Sequence, residues 1–521
     1  MNTSQWTKVA ELTELKENKP KAVTVEKNVI MLIKIDDQIR AFSNNCPHYG
    51  APLHKGYVSH HKVTCPWHNA RFDLKTGNMI TSPALDDLPE YEVNVKENEI
   101  FIKNEPIEKE IQKLDIKDSP TFLIVGGGAA GNAAAEMLRK LAFDGRIVML
   151  SADKDRPYDR PILSKAFLSG EAKKDWALLR SADFYEEHGI EVKTNARVND
   201  INVETNRVSL ENGEHYSFDK CLLATGGVPN MLRVPGANLN NIFTLRSFQD
   251  AKRINAAVRD AEHVIIIGAG FIGLEAAASL QERGLSATIV APEEIPMAAL
   301  FGEQVGAYFQ KLHQSNDIDF YLGEKVTEFR GTDAVEDVVL SDGQSLEADV
   351  VLVAIGVSPA VDFLQNTGLI ENGAIPVDAQ LKTKSNDIFA AGDIALAPHP
   401  FTHESYRIEH WVVAERQGQH AAKNMLGKNL PYQEVPFFWT RQYGQPFKCV
   451  GYLGKFDTIA IRGDVQGGEF LAGYFLNGQL NAAATVGMGD DLFHLEKLIL
   501  AGKTVTPEEI RSDTYDLSSL V

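Results

Sequence analysis

Residues 121–140 read TFLIVGGGAAGNAAAEMLRK. The apolar run TFLIV, bounded by glycine, reads as a buried strand, and the alanine-rich stretch that follows reads as a helix. Between them Gly126, Gly128 and Gly131 form GxGxxG, with Ala129 and Ala130 inside the motif. Glycines at this spacing permit a tight turn and the close approach of a pyrophosphate, whose charge then faces the helix N-terminus. One such turn is weak evidence, because glycine turns between strand and helix also serve packing alone.

A second copy removes the ambiguity. HVIIIGAGFIGLEAAASLQERG at 263–284 repeats strand, turn and helix with Gly268, Gly270 and Gly273, enclosing Phe271 and Ile272. Each copy also has a later apolar run ending in small residues, CLLATGG at 221–227 and VVLVAIGV at 350–357. The architecture is duplicated, as two dinucleotide-binding α/β domains. After the first copy the next strand ends near an acid suited to a ribose, Asp153, with Asp155 as its rival. After the second, Ala291 stands at the usual acidic position, so the ribose contact falls to Glu293 or is lost. No arginine or lysine occurs from Leu285 to Gln310 to receive a 2′-phosphate, which favours NADH over NADPH.

At 521 residues the chain is too long for one core. A hydrophobic share of 44% and a charged share of 24% are ordinary for a folded protein. A net charge of −19 would repel a phosphate backbone, so nucleic acid is not expected as a partner. The N-terminus lacks an apolar core flanked by basic residues, and no stretch reaches the ~20 apolar residues needed to cross a bilayer. Four scattered cysteines make no disulfide framework and suit a reducing compartment. The expectation is a cytoplasmic protein without a membrane partner.

Residues 1–105 read as a small all-β module of short strands, and 106–119 as a charged linker carrying at most a helical turn. About 15 linker residues at ~3.6 Å each reach up to ~54 Å, enough for either a docked or a swinging module. From 435 to 521, alternating apolar residues followed by a helical stretch read as an α+β domain with no chemistry of its own.

The β module carries CPHYG at 46–50 and CPWHN at 65–69, so Cys46, His48, Cys65 and His68 form CxH, sixteen residues, then CxxH. Two cysteines and two histidines suit a tetrahedral zinc or a two-iron cluster in which histidines replace two cysteines on one iron. Each loop delivers one ligand of each kind, which favours the cluster. CPHYGAPLHKG and CPWHNARFDLKTG resemble the two cluster loops of the Rieske ferredoxin family. That resemblance implies Cys46 and Cys65 on the inner iron, with His48 and His68 on the outer, exposed one. The family usually has glycine where this chain has Asn69, and asparagine is the best substitute if the backbone there needs positive φ.

RPYDRPILSK at 156–165, ATGG at 224–227, IFAAGDIA at 388–395 and EHWVVAERQGQHAAKNMLG at 409–427 resemble successive motifs of the flavin-dependent pyridine-nucleotide oxidoreductases. The fold class implied is multidomain: two Rossmann-like α/β domains of the glutathione-reductase type between the all-β module and the C-terminal α+β domain. FAD would bind residues 120–240 with 365–434, and NADH the insert 241–364. The resemblance places Arg160 and Lys165 along the flavin, Ala224, Thr225 and Gly226 at its pocket, Asp393 on the ribityl chain, and His410 and Trp411 at the ring edge. Val198 and Gly356 complete the expected cofactor contacts. Glu275 resembles the family's acid beside the nicotinamide, with Lys165 as its ion-pair partner; the competing reading is a solvated glutamate in a helix first turn. PFFWTRQYGQPFKCVGY at 436–452 resembles the C-terminal domain of oxygenase-type ferredoxin reductases and of apoptosis-inducing-factor-like proteins, which implies that Trp439 covers part of the flavin site. With its β module in front, the chain is most similar to the Rieske-bearing branch of the latter.

The reaction expected is electron transfer from NADH through FAD to the [2Fe-2S] cluster. From there electrons would go to an unidentified acceptor: an oxygenase, a ferredoxin, a cytochrome or a small oxidant. Two other readings stand beside it: a redox sensor whose reduced state alters dimerisation, and a plain NADH oxidase with a structural Rieske module. A monomer and a homodimer both fit.

Overall fold

The computed structural model describes residues 6–108, 114–400 and 404–520. The chain divides into two compact units, Met1–Asp115 and Ile116–Val521. The expected linker with its helical turn falls partly on 109–113, outside the described residues.

The first unit is all β. A six-stranded antiparallel sheet has the order Trp6–Glu11, Glu99–Pro106, Glu90–Lys96, Gln38–Ser43, Asn28–Ile35, Lys21–Val25. Its core gathers Val25, Ile30, Leu32, Ala41, Ile100 and Ile102. A second sheet of short strands, Tyr57–Ser59, Lys62–Thr64, Arg71–Asp73 and Met79–Thr81, carries the second Cys–His loop between its middle two strands. The first such loop follows Gln38–Ser43 and is closed by a bridge between Asn45 and Pro52.

The second unit holds two parallel sheets. The first has the order Ile190–Lys193, Arg146–Leu150, Thr121–Val125, Lys220–Leu223, Ile388–Ala390. Its last strand comes from far along the chain, pairing Ile388 with Cys221. The second sheet has the order Asp319–Leu322, Ser286–Ala291, His263–Ile267, Val350–Val353, Ile242–Phe243. These strands are almost wholly apolar because parallel sheets are covered on both faces. The helices Ala129–Lys140 and Phe271–Gln281 leave the two glycine turns. Helix Trp411–Met425 packs against the first of them, where a Cβ at Gly418 would lie 2.1 Å from the Ala130 carbonyl oxygen.

The C-terminal sheet has the order Phe437–Gln442, Gln445–Gly451, Gln479–Val486, Glu469–Leu476, Thr458–Asp464, followed by helix Gly489–Leu500. One face packs on that helix through Phe437, Leu471, Phe475 and Leu495. The other shares an apolar core with helices Ala298–Phe301 and Glu303–Gln314, where Phe447, Cys449 and Tyr474 gather with Phe301 and Phe309. Cys221 and Cys449 are buried core residues, and burial pushes both thiols up, away from the thiolate. Among the described residues no helix is long and apolar enough to cross a membrane.

His313, at the end of helix Glu303–Gln314, is wholly buried, and burial pushes its imidazole down to about 4. The unfolded chain takes up this proton near pH 6.5, whereas the folded one resists it to about pH 4. Stability at this site is therefore full above pH 6.5 and falls on the order of 3 kcal/mol between there and pH 4. Urea unfolding at pH 7 and pH 5 should show a smaller acid loss in His313→Gln than in the native chain.

Candidate active site and cluster site

The two Cys–His loops are built alike. In the first, the Cys46 N–H donates to the Ala51 carbonyl at 2.9 Å and the Gly50 N–H to the Cys46 carbonyl at 2.8 Å. In the second, Cys65 N–H donates to Ala70 at 2.7 Å and Asn69 N–H to Cys65 at 3.2 Å. Gly50 has φ 76° and Asn69 φ 63°. Asparagine thus occupies the left-handed position that the loop requires, as its tolerance of that region allows.

The four side chains meet two by two. Cys46 and Cys65, 2% and 3% exposed, are hydrogen-bonded to each other. Their mutual contact and burial hold the Cys46 thiol well above its ordinary value. His48 and His68, partly exposed, face each other with Nδ1 atoms 3.0 Å apart. Two nitrogens bound to one tetrahedral ion at ~2.1 Å lie ~3.4 Å apart, so a small spread of the rings would admit a metal. Burial pushes His48 down to about 3, which keeps the imidazole neutral, as a ligand must be. Among the described residues no group of three or more His, Cys, Asp and Glu side chains gathers as for a single ion. A thiol pair beneath an imidazole pair suits a two-iron cluster better than zinc. Tyr49 and Trp67, 43% and 45% exposed, set their rings edge-on around His68 at 5.8 and 6.3 Å.

In the second unit the glycines of each turn divide by task. A Cβ at Gly131 would lie 1.9 Å from the Gly126 carbonyl oxygen, and one at Gly273 would lie 2.0 Å from that of Gly268. Protein packing dictates those positions. The middle glycines differ: around Gly270 there is nothing within 4 Å, and beside Gly128 only Arg160 Nη2 at 4.0 Å. Each turn leaves open the space a pyrophosphate would fill. Arg160 Nε and His410 Nδ1 are buried without a hydrogen-bond partner, so polar atoms await a polar ligand there. The residues present fit FAD.

Around this cradle Asp393 is 7% exposed and pairs with Arg246 at 2.6 Å, while Arg407 donates to the Asp393 carbonyl at 3.0 Å. Burial, with Arg160 nearby, pulls the Arg246 guanidinium below its usual range. A Cβ at Gly226 would lie 3.0 Å from Arg246 Nη2. Thr225 Oγ1 donates to the Ala360 carbonyl at 2.7 Å, and the Ala224 N–H to Val125 at 2.8 Å. Asp153 accepts the Tyr158 hydroxyl at 2.5 Å. Its rival Asp155 is occupied with Lys174 at 3.5 Å and Lys252 at 3.7 Å. Burial pushes His410 down to about 4, and its ring lies 4.6 Å from Phe438. Trp411 opens the helix that packs on Ala129–Lys140, and Val198 begins a strand of a small antiparallel sheet. In the second half Glu293 is exposed beyond the strand ending at Ala291, Gly356 has φ 90°, and Phe271 lies against Phe438 at 4.1 Å. Ile272 is exposed beside it.

Glu275 is not a solvated first-turn residue. It is the fifth residue of its helix and 6% exposed. Lys165 Nζ meets its carboxylate at 2.7 Å, Ser164 Oγ donates at 2.5 Å and Thr440 Oγ1 at 2.6 Å. Lys165 Nζ also lies 5.1 Å from the centre of the Trp439 ring. The C-terminal sheet, expected to carry no chemistry, therefore supplies a hydroxyl to this carboxylate. No sequence pattern marks Ser164, Thr440, Arg246 or Arg407 for these roles. Ser164 neighbours Lys165 in RPYDRPILSK, but single hydroxyls and arginines in loops leave no spacing signal.

Residues 120–418 match the pyridine nucleotide-disulphide oxidoreductase family, 5–92 the Rieske [2Fe-2S] domain and 437–521 the reductase C-terminal domain. Apoptosis-inducing factor 3 of Homo sapiens is 33% identical, over 98% of this chain and 87% of that protein. The ferredoxin--NAD(+) reductase component of the anthranilate 1,2-dioxygenase system of Burkholderia cepacia is 34% identical, over 77% of this chain and 99% of its own. Among solved structures, the ferredoxin reductase for the CYP199A2 system from Rhodopseudomonas palustris has a TM-score of 0.74 at 33% identity, covering 77% of this chain and 100% of that one.

Proposed function

Because the chain belongs to the pyridine nucleotide-disulphide oxidoreductase family and carries a Rieske [2Fe-2S] domain, it is an NADH-dependent FAD oxidoreductase, and we propose that it conducts electrons from NADH, by way of FAD, to its own cluster. The outlet proposed is a redox protein of the ferredoxin or oxygenase type, by likeness to the dioxygenase-system reductase. The aromatic rings of Tyr49 and Trp67 around the two histidines support a protein rather than a small oxidant at that outlet.

Bound FAD supplies the exchange between the two electrons of a hydride and the single electron the cluster takes. The remaining work falls to side chains. Gly128 and Gly270 admit the pyrophosphates of FAD and NADH, and Arg160 offers the first of these a buried donor. Asp153 holds a ribose, and Asp393, steadied by Arg246, orients the ribityl chain. Glu275 and Lys165 neutralise each other at the meeting of the two dinucleotide folds, with Trp439 over the lysine. The division into 120–240 with 365–434 for FAD and 241–364 for NADH belongs to this reading. Sharing one chain gives the flavin and cluster partners an effective concentration of order millimolar.

The observation that carries the reading is the pairing of thiol with thiol and imidazole with imidazole, thiols inside and imidazoles outward. A scaffold would gain nothing from it. Anaerobic NADH should bleach the flavin bands and then bring up the reduced-cluster signal in electron paramagnetic resonance. A bleached flavin beside a cluster that stays oxidised under excess NADH would end the proposal of an internal relay.

A further inference from the structure

Behind Glu275 runs a buried polar chain that the cofactor sites do not account for. Thr440 Oγ1, which donates to Glu275, accepts from Gln442 Nε2 at 3.2 Å. Gln442 Oε1 meets His313 Nε2 at 2.8 Å. Thr440, Gln442 and His313 are 1%, 3% and 0% exposed. Thr440 and Gln442, two apart on strand Phe437–Gln442, share one of its faces.

The chain has a fixed direction. Gln442 gives its amide protons to Thr440, so its oxygen accepts and His313 carries its proton on Nε2. His313 Nδ1 has no hydrogen-bond partner, so no second hydrogen bond holds the ring. Every donor thus points toward Glu275, and bonds aligned this way polarise one another. An apolar pair would fill the space beside Tyr443 and Phe320 without desolvating an imidazole and an amide. Packing alone does not explain the pair.

The geometry points to His313 and Gln442 as positioning residues for the hydride step: together they fix the Thr440 hydroxyl with its proton aimed at Glu275, and so hold that carboxylate against Lys165 and Ser164. The inference rests on the reading that Glu275 and Lys165 stand beside the nicotinamide. Three parts of the fold meet at this one carboxylate, and alignment of reacting atoms is sensitive to shifts well below an ångström.

The test uses the full chain loaded with FAD, following flavin reduction by NADH in anaerobic stopped flow. Glu275→Gln should slow it. His313→Phe and Gln442→Leu should each slow it about three- to tenfold at unchanged FAD content, the weight of one neutral hydrogen bond. His313→Phe combined with Thr440→Val should be no slower than Thr440→Val alone, since the effect passes through that hydroxyl. Full rates in His313→Phe and Gln442→Leu beside a slowed Glu275→Gln, or additive losses in the pair, overturn the inference and spare the site. A full rate in Glu275→Gln sinks the site reading and the inference with it. Protein labelled with [15N]histidine gives a readout independent of turnover and of any variant at 313. It should show a slowly exchanging Nε2–H signal that moves in Thr440→Val, and an Nδ1–H tautomer or an unmoved signal overturns the inferred positioning role of His313 and Gln442.

Discussion

Replacing Gly128 by valine is expected to strip FAD from a protein that otherwise stays folded. Gly128 has φ −87°, open to any residue, and its Cβ would find only Arg160 at 4.0 Å. The new Cβ therefore meets only the flexible end of one side chain, at ordinary contact distance, and the side chain fills the space read as the pyrophosphate site. Purified Gly128→Val should lack the flavin bands while keeping the absorption of the cluster, which belongs to the other compact unit, with far-UV circular dichroism matching that of the apoprotein. Gly131→Val marks the contrast. There the Cβ meets the Gly126 carbonyl oxygen at 1.9 Å, and backbone cannot swing aside as a side chain can, so stability should fall by about 3 kcal/mol or more. If Gly128→Val kept its flavin, the open glycine would be a packing accident and the dinucleotide reading of that turn would fail.

Substituting Cys65 with alanine is expected to separate the two halves of the electron path. Loss of an inner thiolate leaves an iron short of its ligands, and such clusters do not assemble. Iron and acid-labile sulfide should drop to background, and one-electron delivery to a protein acceptor should collapse. Flavin content and its bleaching by NADH should persist, because Ile116–Val521 is a compact unit of its own. Undiminished turnover with every acceptor would favour a structural Rieske module over a conducting one.

What could be read in the sequence was whatever depends on spacing along the chain. GxGxxG and CxH with CxxH are local because a turn around a phosphate or a cluster is local, and the positive φ of Asn69 meets the expectation set by likeness to a family that usually has glycine there. Glu275 and Lys165 lie far apart, and their contact was expected by likeness before the 2.7 Å pair displayed it. Thr440, Gln442 and His313 had no such help. They arrive from a strand and a helix whose relative placement depends on the apolar core shared by helix Glu303–Gln314 and the last sheet. An alternating strand reveals which residues share a face, but not which carboxylate that face will meet. Arg246 was hidden for the same reason: it precedes the Ser247–Asp250 capping box as any surface residue could, yet reaches Asp393.

Strand Ile388–Ala390 and helix Trp411–Met425 complete a fold whose first glycine turn was made roughly 270 residues earlier. At ~5–20 residues per second, a ribosome leaves that turn waiting some tens of seconds for its missing pieces. Flavin loading is therefore a late event in this protein's birth. In the interval the edge of Lys220–Leu223 lacks its neighbour, leaving a row of unpaired backbone groups open to wrong partners until Ile388–Ala390 is made.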